Sequence, residues 1–283
     1  MSIRILHTAD NHLGLTFKQY PDEVRKRLIK ERSDALKNLV DIANDRKAHF
    51  IVIAGDLFDK VNVPKPLIDE AVNILKRFEG EAVLVLAGNH DHYEGPDSAL
   101  WQRFQKAVEG TCVQALLQPR TEQFKIDGIE VIFHPCPCPS KYGTEPVIGW
   151  VKDGDKKAGA IHIGIAHGNV EGLGLDTDQR YFNMTESALK DTGMHTWLLG
   201  HIHVASPAVG ISGRHTFYMS GIHTPDSVRS TRPGHAWFLE INADGSIQHT
   251  SVHPGKFNFK RIEKELRHAN DIEALRHECL RLD

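Results

Sequence analysis

Short apolar runs that stop abruptly at Gly, Asp, Asn or His constrain this chain most. Phe50-Ile51-Val52-Ile53-Ala54 is followed at once by Gly55-Asp56, and Ala82 to Ala87 by Gly88-Asn89-His90-Asp91. An apolar run with no polar alternation is the pattern of a strand covered on both faces. Ile3 to Thr8 is a similar run, ending just before Asp10-Asn11-His12. Between these runs the periodicity changes. Val24, Leu28, Leu36, Leu39, Val40 and Ala43 recur at helical spacing, which predicts a helix from Asp22 to Arg46. A second helix is expected from near Pro66 to near Phe78, with Gly80 just beyond it. Strand–helix–strand–helix–strand implies a parallel sheet with right-handed crossovers.

Beyond Pro96 a helix is expected from Asp97 to Val108. Phe124 to Ile126 and Ile129 to Phe133 flank Asp127-Gly128, a hairpin signal. Residues from Pro135 to Asp155 are rich in Pro, Gly and Lys and read as a loop with two reduced thiols. Strands follow at Ile161 to Ala166, Thr196 to Leu199, Thr216 to Met219, Ala236 to Ile241 and Ile247 to Val252. The expected architecture is a two-sheet α/β sandwich with helices outside, parallel early and antiparallel late. From Lys256 onward the chain reads as one strand-like stretch and a charged helix with Ile272, Leu275 and Cys279 on one face. That gives a main domain over residues 1–255 and a short C-terminal cap element over 256–283.

Composition narrows the class. With 283 residues, the chain is long enough for one large core. A net charge of −3 announces no nucleic-acid binder, although bound divalent ions can dominate a local field. Cys112, Cys136, Cys138 and Cys279 are too few for a disulfide scaffold. Cys136-Pro137-Cys138 has no matching pair for a zinc ribbon. The N-terminus runs straight into a strand without a leader pattern, and no apolar run reaches membrane-spanning length, so a cytoplasmic protein with no membrane partner is expected.

Five segments carry the chemistry: Asp10-Asn11-His12, Gly55-Asp56 with Asp59, Gly88-Asn89-His90-Asp91, His167-Gly168, and Gly200-His201-Ile202-His203. All sit at or just after expected strands, where the loops of an open α/β sheet converge. Any one alone is an ordinary turn or surface histidine. Together they supply carboxylate, amide oxygen and imidazole without thiolate, a set that suits Mn²⁺, Fe²⁺ or Zn²⁺. Two such ions can clamp a phosphate and lower the pKa of water.

These segments resemble the calcineurin-like metallophosphoesterases, whose D-x-H, G-D-x-x-D, G-N-H-D/E, H and G-H-x-H motifs are all present from Asp10 to His203. A narrower likeness is to the SbcD-type DNA repair nucleases. It rests on His7-Thr8-Ala9-Asp10-Asn11-His12-Leu13-Gly14, Gly55-Asp56-Leu57-Phe58-Asp59 and His167-Gly168-Asn169-Val170-Glu171-Gly172, with Phe257 to Leu266 resembling their strand into a capping domain. The resemblance implies the two-sheet metallophosphoesterase sandwich. It implies one metal held by Asp10, His12, Asp56 and His203, and another by Asp56, Asn89, His167 and His201, with Asp56 bridging. His90 would be the catalytic histidine and Asp59 would orient it, with Asp91 in a supporting place. Manganese is the expected ion. DNA ends or single strands would be the substrate, an SbcC-type ATPase a partner, and a homodimer through the Asp97–Val108 helix is implied as well.

Three positions depart from the nucleases. Asn11 stands where an aromatic residue is frequent, His92 where a smaller residue is usual, and Ser220-Gly221-Ile222-His223 where Gly-Ser is usual; His223 is read as a loop residue. The alternative reading is a phosphodiesterase or phosphatase for a cyclic nucleotide or nucleotide ester, and a third is a silent scaffold. DNA needs an open groove with cations, for which Lys60, Lys65, Lys141 and Arg180 are the candidates, whereas a small ester needs an enclosing pocket.

Overall fold

Two sheets lie face to face, and each is closed on its other face by helices or loops. The computed structural model describes residues 2–152, 156–173, 179–208, 210–211, 213–230 and 232–281. In chain order the first strands and helices are β1 (Ser2–Thr8), α1 (Asp22–Asp45), β2 (Phe50–Ile53), α2 (Lys65–Leu75), β3 (Ala82–Leu86), α3 (Ala99–Val108) and β4 (Val113–Leu116). Then follow β5 (Glu122–Ile126), β6 (Ile129–Cys136), β7 (Ile161–His167), α4 (Glu186–Asp191), β8 (Thr196–Gly200), β9 (Phe217–Met219), β10 (Ala236–Asn242), β11 (Ile247–Val252) and α5 (Ala269–Cys279). One sheet has the order β11-β10-β1-β2-β3-β4 and the other β5-β6-β7-β8-β9.

The unbroken apolar runs have a direct packing reason. Leu6, Ile51, Ile53, Val83 and Val85 point to the helices and meet Leu36, Leu39, Ile68 and Trp101. Their neighbours Ile5, Val52 and Leu84 point the other way and meet Ile163, Leu198 and Phe133 of the second sheet. Side chains alternate between faces along a strand, so a sheet covered on both sides leaves no polar position to spare. Phe50 anchors the seam, edge-on to Phe124 and Phe133 at 4.9 and 5.0 Å between ring centres.

Several expectations are corrected. Among the strand pairings of the described residues, only the β5–β6 hairpin and the two pairings of β10 are antiparallel; β6, β7, β8 and β9 run parallel. The second sheet therefore sends its strand ends to a common edge, as the first does. β4 and α4 escaped the sequence reading because Val113–Leu116 buries only its two end residues and Glu186–Asp191 is under two turns long. The stretch read as a loop from Pro135 begins inside β6. Pro135 is tolerated there because β5 stops pairing at Phe133, leaving that flank without a strand to receive an amide. A 3-10 turn at Val147–Trp150 interrupts the rest, and residues 153–155 lie outside the described residues. Both thiols there are buried rather than set in an open loop.

The segment from Phe257 to Leu266 is not a strand. Its start lies beside the beginning of α1 instead, with Phe259 stacked on Tyr20 and the Arg27 guanidinium 5.1 Å from the Phe257 ring centre. α5 buries none of its residues. The apolar face of α3 (Leu100, Trp101, Phe104) is used within the chain, packed into the helix layer of the core. No helix among the described residues is long and apolar enough to cross a membrane.

Two substitutions test this layering. Ile163→Ala, between the sheets and 0% exposed, is expected to lower the unfolding free energy by about 2–5 kcal/mol in urea denaturation. Ile272→Ala on α5, 56% exposed, is expected to change it by less than about 0.5 kcal/mol in the same measurement.

Candidate metal centre

Parallel strands from both sheets end on one side of the sandwich, and their loops lock onto each other there. Asp10 N donates to Gly55 O, His12 N to Asp56 O and Leu13 N to Leu57 O, at 3.1, 2.9 and 2.9 Å. Gly168 N reaches Gly200 O in the second sheet. The loops are forced into uncommon backbone. Asp10, His12, Asp56 and His201 have φ of 54, 44, 56 and 100°, in the left-handed half of the map that side chains avoid. Gly55 and Gly88 permit the crowding. A Cβ on Gly55 would stand 2.2 Å from His167 Nδ1, and one on Gly88 would stand 2.2 Å from Asp56 Oδ1.

All seven residues singled out as ligands converge. Asp10 Oδ1 lies 4.0 Å from His12 Nε2 and 3.7 Å from His203 Nε2. Asp56 Oδ2 lies 3.7 Å from His12 Nε2 and 3.3 Å from His167 Nε2, so it stands between two groups. Asn89 Oδ1 completes the second group, 2.9 Å from His167 Nε2 and 3.1 Å from His201 Nδ1. Within each of the triads Asp10–His12–His203 and Asp10–Asp56–His167, the donor atoms all lie within 4.8 Å of one another.

These residues fit a divalent cation on three counts. First, both ring nitrogens of His12 are buried without a hydrogen-bond partner, as is Asn89 Nδ2. Separations of 3.7–4.0 Å to two carboxylates are too long for hydrogen bonds but suit ligands that share an ion. Second, the ring tautomers are set by outer partners. His167 Nδ1 donates to Ala54 O at 2.8 Å and His203 Nδ1 to Asp226 Oδ2 at 2.8 Å, so each turns Nε2 inward. Third, the buried carboxylates draw positive charge to the groups beside them, and His12 and His201 stay neutral as ligands must. Burial alone would depress His167, but the Asp56 carboxylate beside it outweighs that and raises it to about 9. Burial would likewise raise Asp56, yet His167, His12 and His90 hold its carboxyl well below the usual range. His201 is driven the other way, to about 3, by burial and then by His167.

The thiol at Cys138 is turned away from this cluster and donates to His167 O at 3.3 Å; burial keeps it protonated. The donor set is thus carboxylate, imidazole and amide, which excludes a thiolate zinc site.

His90 stands beside the ligands, its ring 4.7 Å from that of His12. Its amide donates to Asp56 Oδ1 at 2.8 Å and its Nδ1 to Asp59 at 2.9 Å. The Asp59 partner is the main-chain carbonyl; the Asp59 carboxylate lies 3.5 Å from His12 Nδ1 instead. Asp91 acts on backbone: its carboxylate accepts from Phe58 N at 3.0 Å and Gly88 N at 2.7 Å, tying two loops together. His223 lies in a loop, as read, but both it and His92 are buried. His92 is 8% exposed and bonds Asn89 O, and His223 is fully buried against Arg32 O.

Three supporting residues carry no motif. Asp226 bonds His203 and also accepts from Ser230 Oγ at 2.7 Å. Arg32, 1% exposed on α1, donates from Nη1 to Asn11 O at 2.7 Å and so braces the Asp10–His12 loop from behind. Tyr181 places its ring 4.8 Å from that of His201. A charged residue at a helical core position, as Arg32 is, was the only available signal.

Known proteins resemble this chain in sequence and in fold. The chain is 26% identical over 215 residues to an uncharacterized metallophosphoesterase, YhaO, of Bacillus subtilis, covering 71% of this chain and 48% of that protein. It is 43% identical over 93 residues to the SbcD component of the nuclease SbcCD of Bacillus subtilis, covering 32% of this chain and 22% of that one. It is 30% identical over 220 residues to the DNA double-strand break repair protein Mre11 of Archaeoglobus fulgidus, covering 71% and 46%. The chain thus spans about half, or less, of these relatives' length. Among solved structures, GAP50, the anchor in the inner membrane complex of Plasmodium, shares the fold with a TM-score of 0.53 at 14% identity, covering 98% of this chain and 94% of that one. The calcineurin-like phosphoesterase family model matches residues 3–205, and with the motif loops assembled on one edge the chain belongs to that family of metal-dependent hydrolases of phosphoester bonds.

Proposed function

We propose that this protein is a two-metal phosphodiesterase acting on DNA, an exonuclease or endonuclease of DNA repair type that uses manganese. The observation that supports DNA is the rim of the site. Gly143 pairs with Tyr181 across a short bridge, Gly143 N to Arg180 O and Phe182 N to Gly143 O, both at 2.8 Å. That bridge gathers Lys141 and Arg180 around the exposed Tyr142 ring, at 5.5 and 5.8 Å from its centre. Tyr142 and Tyr181 lie 5.5 Å apart, and Tyr181 leans on His201. Cations beside aromatic faces are what a single strand needs: charge for phosphates and rings for bases. Two relatives named above are, by name, a nuclease component and a double-strand break repair protein, which adds to this reading.

In this reading Asp10, His12, Asp56 and His203 hold one ion, and Asp56, Asn89, His167 and His201 hold the other. When bound, the ions supply Lewis acidity toward phosphate oxygens and lower the pKa of water. The protein's own residues do the rest. Asp59 O fixes Nδ1 of His90, leaving Nε2 to carry a proton to the leaving oxygen. Asp226 holds His203 in its tautomer. Residues 1–255 form the hydrolase domain and 256–283 begin a cap, a division supported by the absence of buried residues in α5. An ATPase partner and a homodimer are proposals on the same likeness. The competing reading, a phosphodiesterase or phosphatase for a small nucleotide ester, draws on a cavity of about 670 Å³ that adjoins the site.

Hydrolysis of linear single- and double-stranded DNA, a cyclic dinucleotide and an aryl phosphodiester, compared with added manganese, tests the substrate. Turnover confined to the small esters would overturn the DNA reading. His90→Ala is expected to lower phosphodiester turnover about 10²–10⁴-fold while bound metal stays unchanged by elemental analysis. Asp226→Asn is expected to weaken metal binding about 10–100-fold in calorimetric titration. Replacing both Lys141 and Arg180 with Ala should weaken single-strand binding and flatten its dependence on salt by about 0.7 per lost contact, with aryl phosphodiester turnover unchanged.

A further inference from the structure

The cavity beside the metal loops does not share their character. It is lined by Tyr93, Pro137, Val147, Trp150 and Phe182, with Glu94 and Glu145 among its polar residues. Those carboxylates make it a poor place for phosphate. Planar apolar walls with acceptors among them suit an uncharged ring that carries N–H donors.

Its position relative to the metal centre is set by shared residues. Cys138 lines the cavity, and its thiol donates to the carbonyl of the candidate ligand His167. Tyr93 stands two residues after Asp91, and its amide donates to Cys138 O at 3.0 Å. Phe182 follows Tyr181, whose ring leans on His201. The segment from Ser140 to Glu145 divides the two regions. Ser140, Gly143, Thr144 and Glu145 line the cavity, whereas Lys141 and Tyr142 join Arg180 and Tyr181 on the cationic rim.

We infer that this cavity is a base subsite: it receives the nucleobase of a nucleotide whose phosphate lies at the metal centre. The choice of a nucleotide rests on the nuclease reading above. Charge is divided accordingly, with cations and metal ligands on the phosphate side and carboxylates with aromatic rings on the base side. A base stacked on such rings is held with little sequence preference, because every base has an aromatic face. Drawing it in requires unstacking, which is easiest at a single strand or a frayed end. The subsite therefore favours single-stranded and terminal nucleotides over the interior of a duplex.

Trp150 reports on the cavity directly. The chain has four tryptophans; Trp101, Trp197 and Trp237 are 0, 0 and 1% exposed and none of them lines this cavity, which leaves Trp150 as its reporter. The full chain is titrated with deoxyadenosine 5′-monophosphate and with deoxyribose 5-phosphate, which lacks the base, first with manganese and then in chelator. The nucleotide is expected to change Trp150 emission and to saturate at a concentration at least about tenfold lower than the sugar phosphate. Trp150→Phe removes the signal. Thr144→Phe, at an exposed position lining the cavity, weakens nucleotide binding about tenfold and leaves sugar phosphate binding alone. Equal affinity for the two ligands, or nucleotide binding unchanged by Thr144→Phe, would overturn the subsite. DNA cleavage measured on the same samples separates the two readings: cleavage together with equal affinity for nucleotide and sugar phosphate removes the subsite alone, and tighter binding of the nucleotide without cleavage of any DNA removes the nuclease reading alone.

Discussion

A carboxylate sealed from water is costly unless positive charge or hydrogen-bond donors reach it, and Asp56 is 1% exposed. The organisation of the metal-binding edge follows from meeting that requirement. One oxygen accepts from the His90 amide, and the other faces His12 and His167. For the oxygens to be reached from both sheets, the loop after β2 must pass close under the loop after β3. Glycine is the only residue type that fits at position 88, because any Cβ would collide with the Asp56 carboxylate. Asp10 is equally buried and is met by the His201 amide at 3.0 Å. The two carboxylates thus stitch the two sheets together at the edge where the ions are proposed to bind. A divalent cation is the natural completion of such a cluster, since its charge exceeds what the surrounding imidazoles can supply without protons.

This explains why four of the nine non-glycine residues with positive φ among the described residues stand in these loops. Asp10, His12, Asp56 and His201 each hold a positive φ, and each is tied by main-chain hydrogen bonds to a loop from another strand or by its amide to a buried carboxylate. Strain of this kind persists when the neighbours over-determine the conformation. The benefit is a set of donors whose positions do not depend on flexible side chains finding each other. Arg32 extends the same logic one layer deeper, since it fixes the carbonyl between Asp10 and His12 from a helix that no motif marks.

Much of this was legible from the chain alone because the motif residues lie next to strand ends in sequence. A strand buried on both faces announces itself as an unbroken apolar run, and the residue that follows it falls at the sheet edge. The five segments could therefore be placed without knowing the order of the strands. What remained hidden depends on long-range partners. Asp226 meets His203 from the far side of β9 with no local pattern to betray it, and Arg32 meets Asn11 from the middle of α1, marked only as a charge at a helical core position. Asp59 shows a subtler limit: sequence pairs it with His90, but it serves through its carbonyl, which any residue type could supply. The parallel run of β6 to β9 was hidden for another reason. Their crossovers include an irregular stretch with a 3-10 turn and a helix too short to show periodicity, so the usual strand–helix–strand signature was absent.

The division between chemistry and substrate choice also follows from where residues sit. Ligands on the strand-end loops are held by both sheets and have little room to vary. Part of the rim and much of the cavity wall come from the excursion between β6 and β7, which joins the segment after β7 through the Gly143–Tyr181 bridge and through Ile148 and Val151 packed with Val170 and Met184. Such a loop can change its side chains without disturbing the carboxylates beneath it, since scaffold and selectivity are carried by different bonds. Here it presents Lys141 and Tyr142 to one side and Thr144, Glu145 and Trp150 to the other, the two faces that the proposed base subsite would assign to the two halves of a nucleotide.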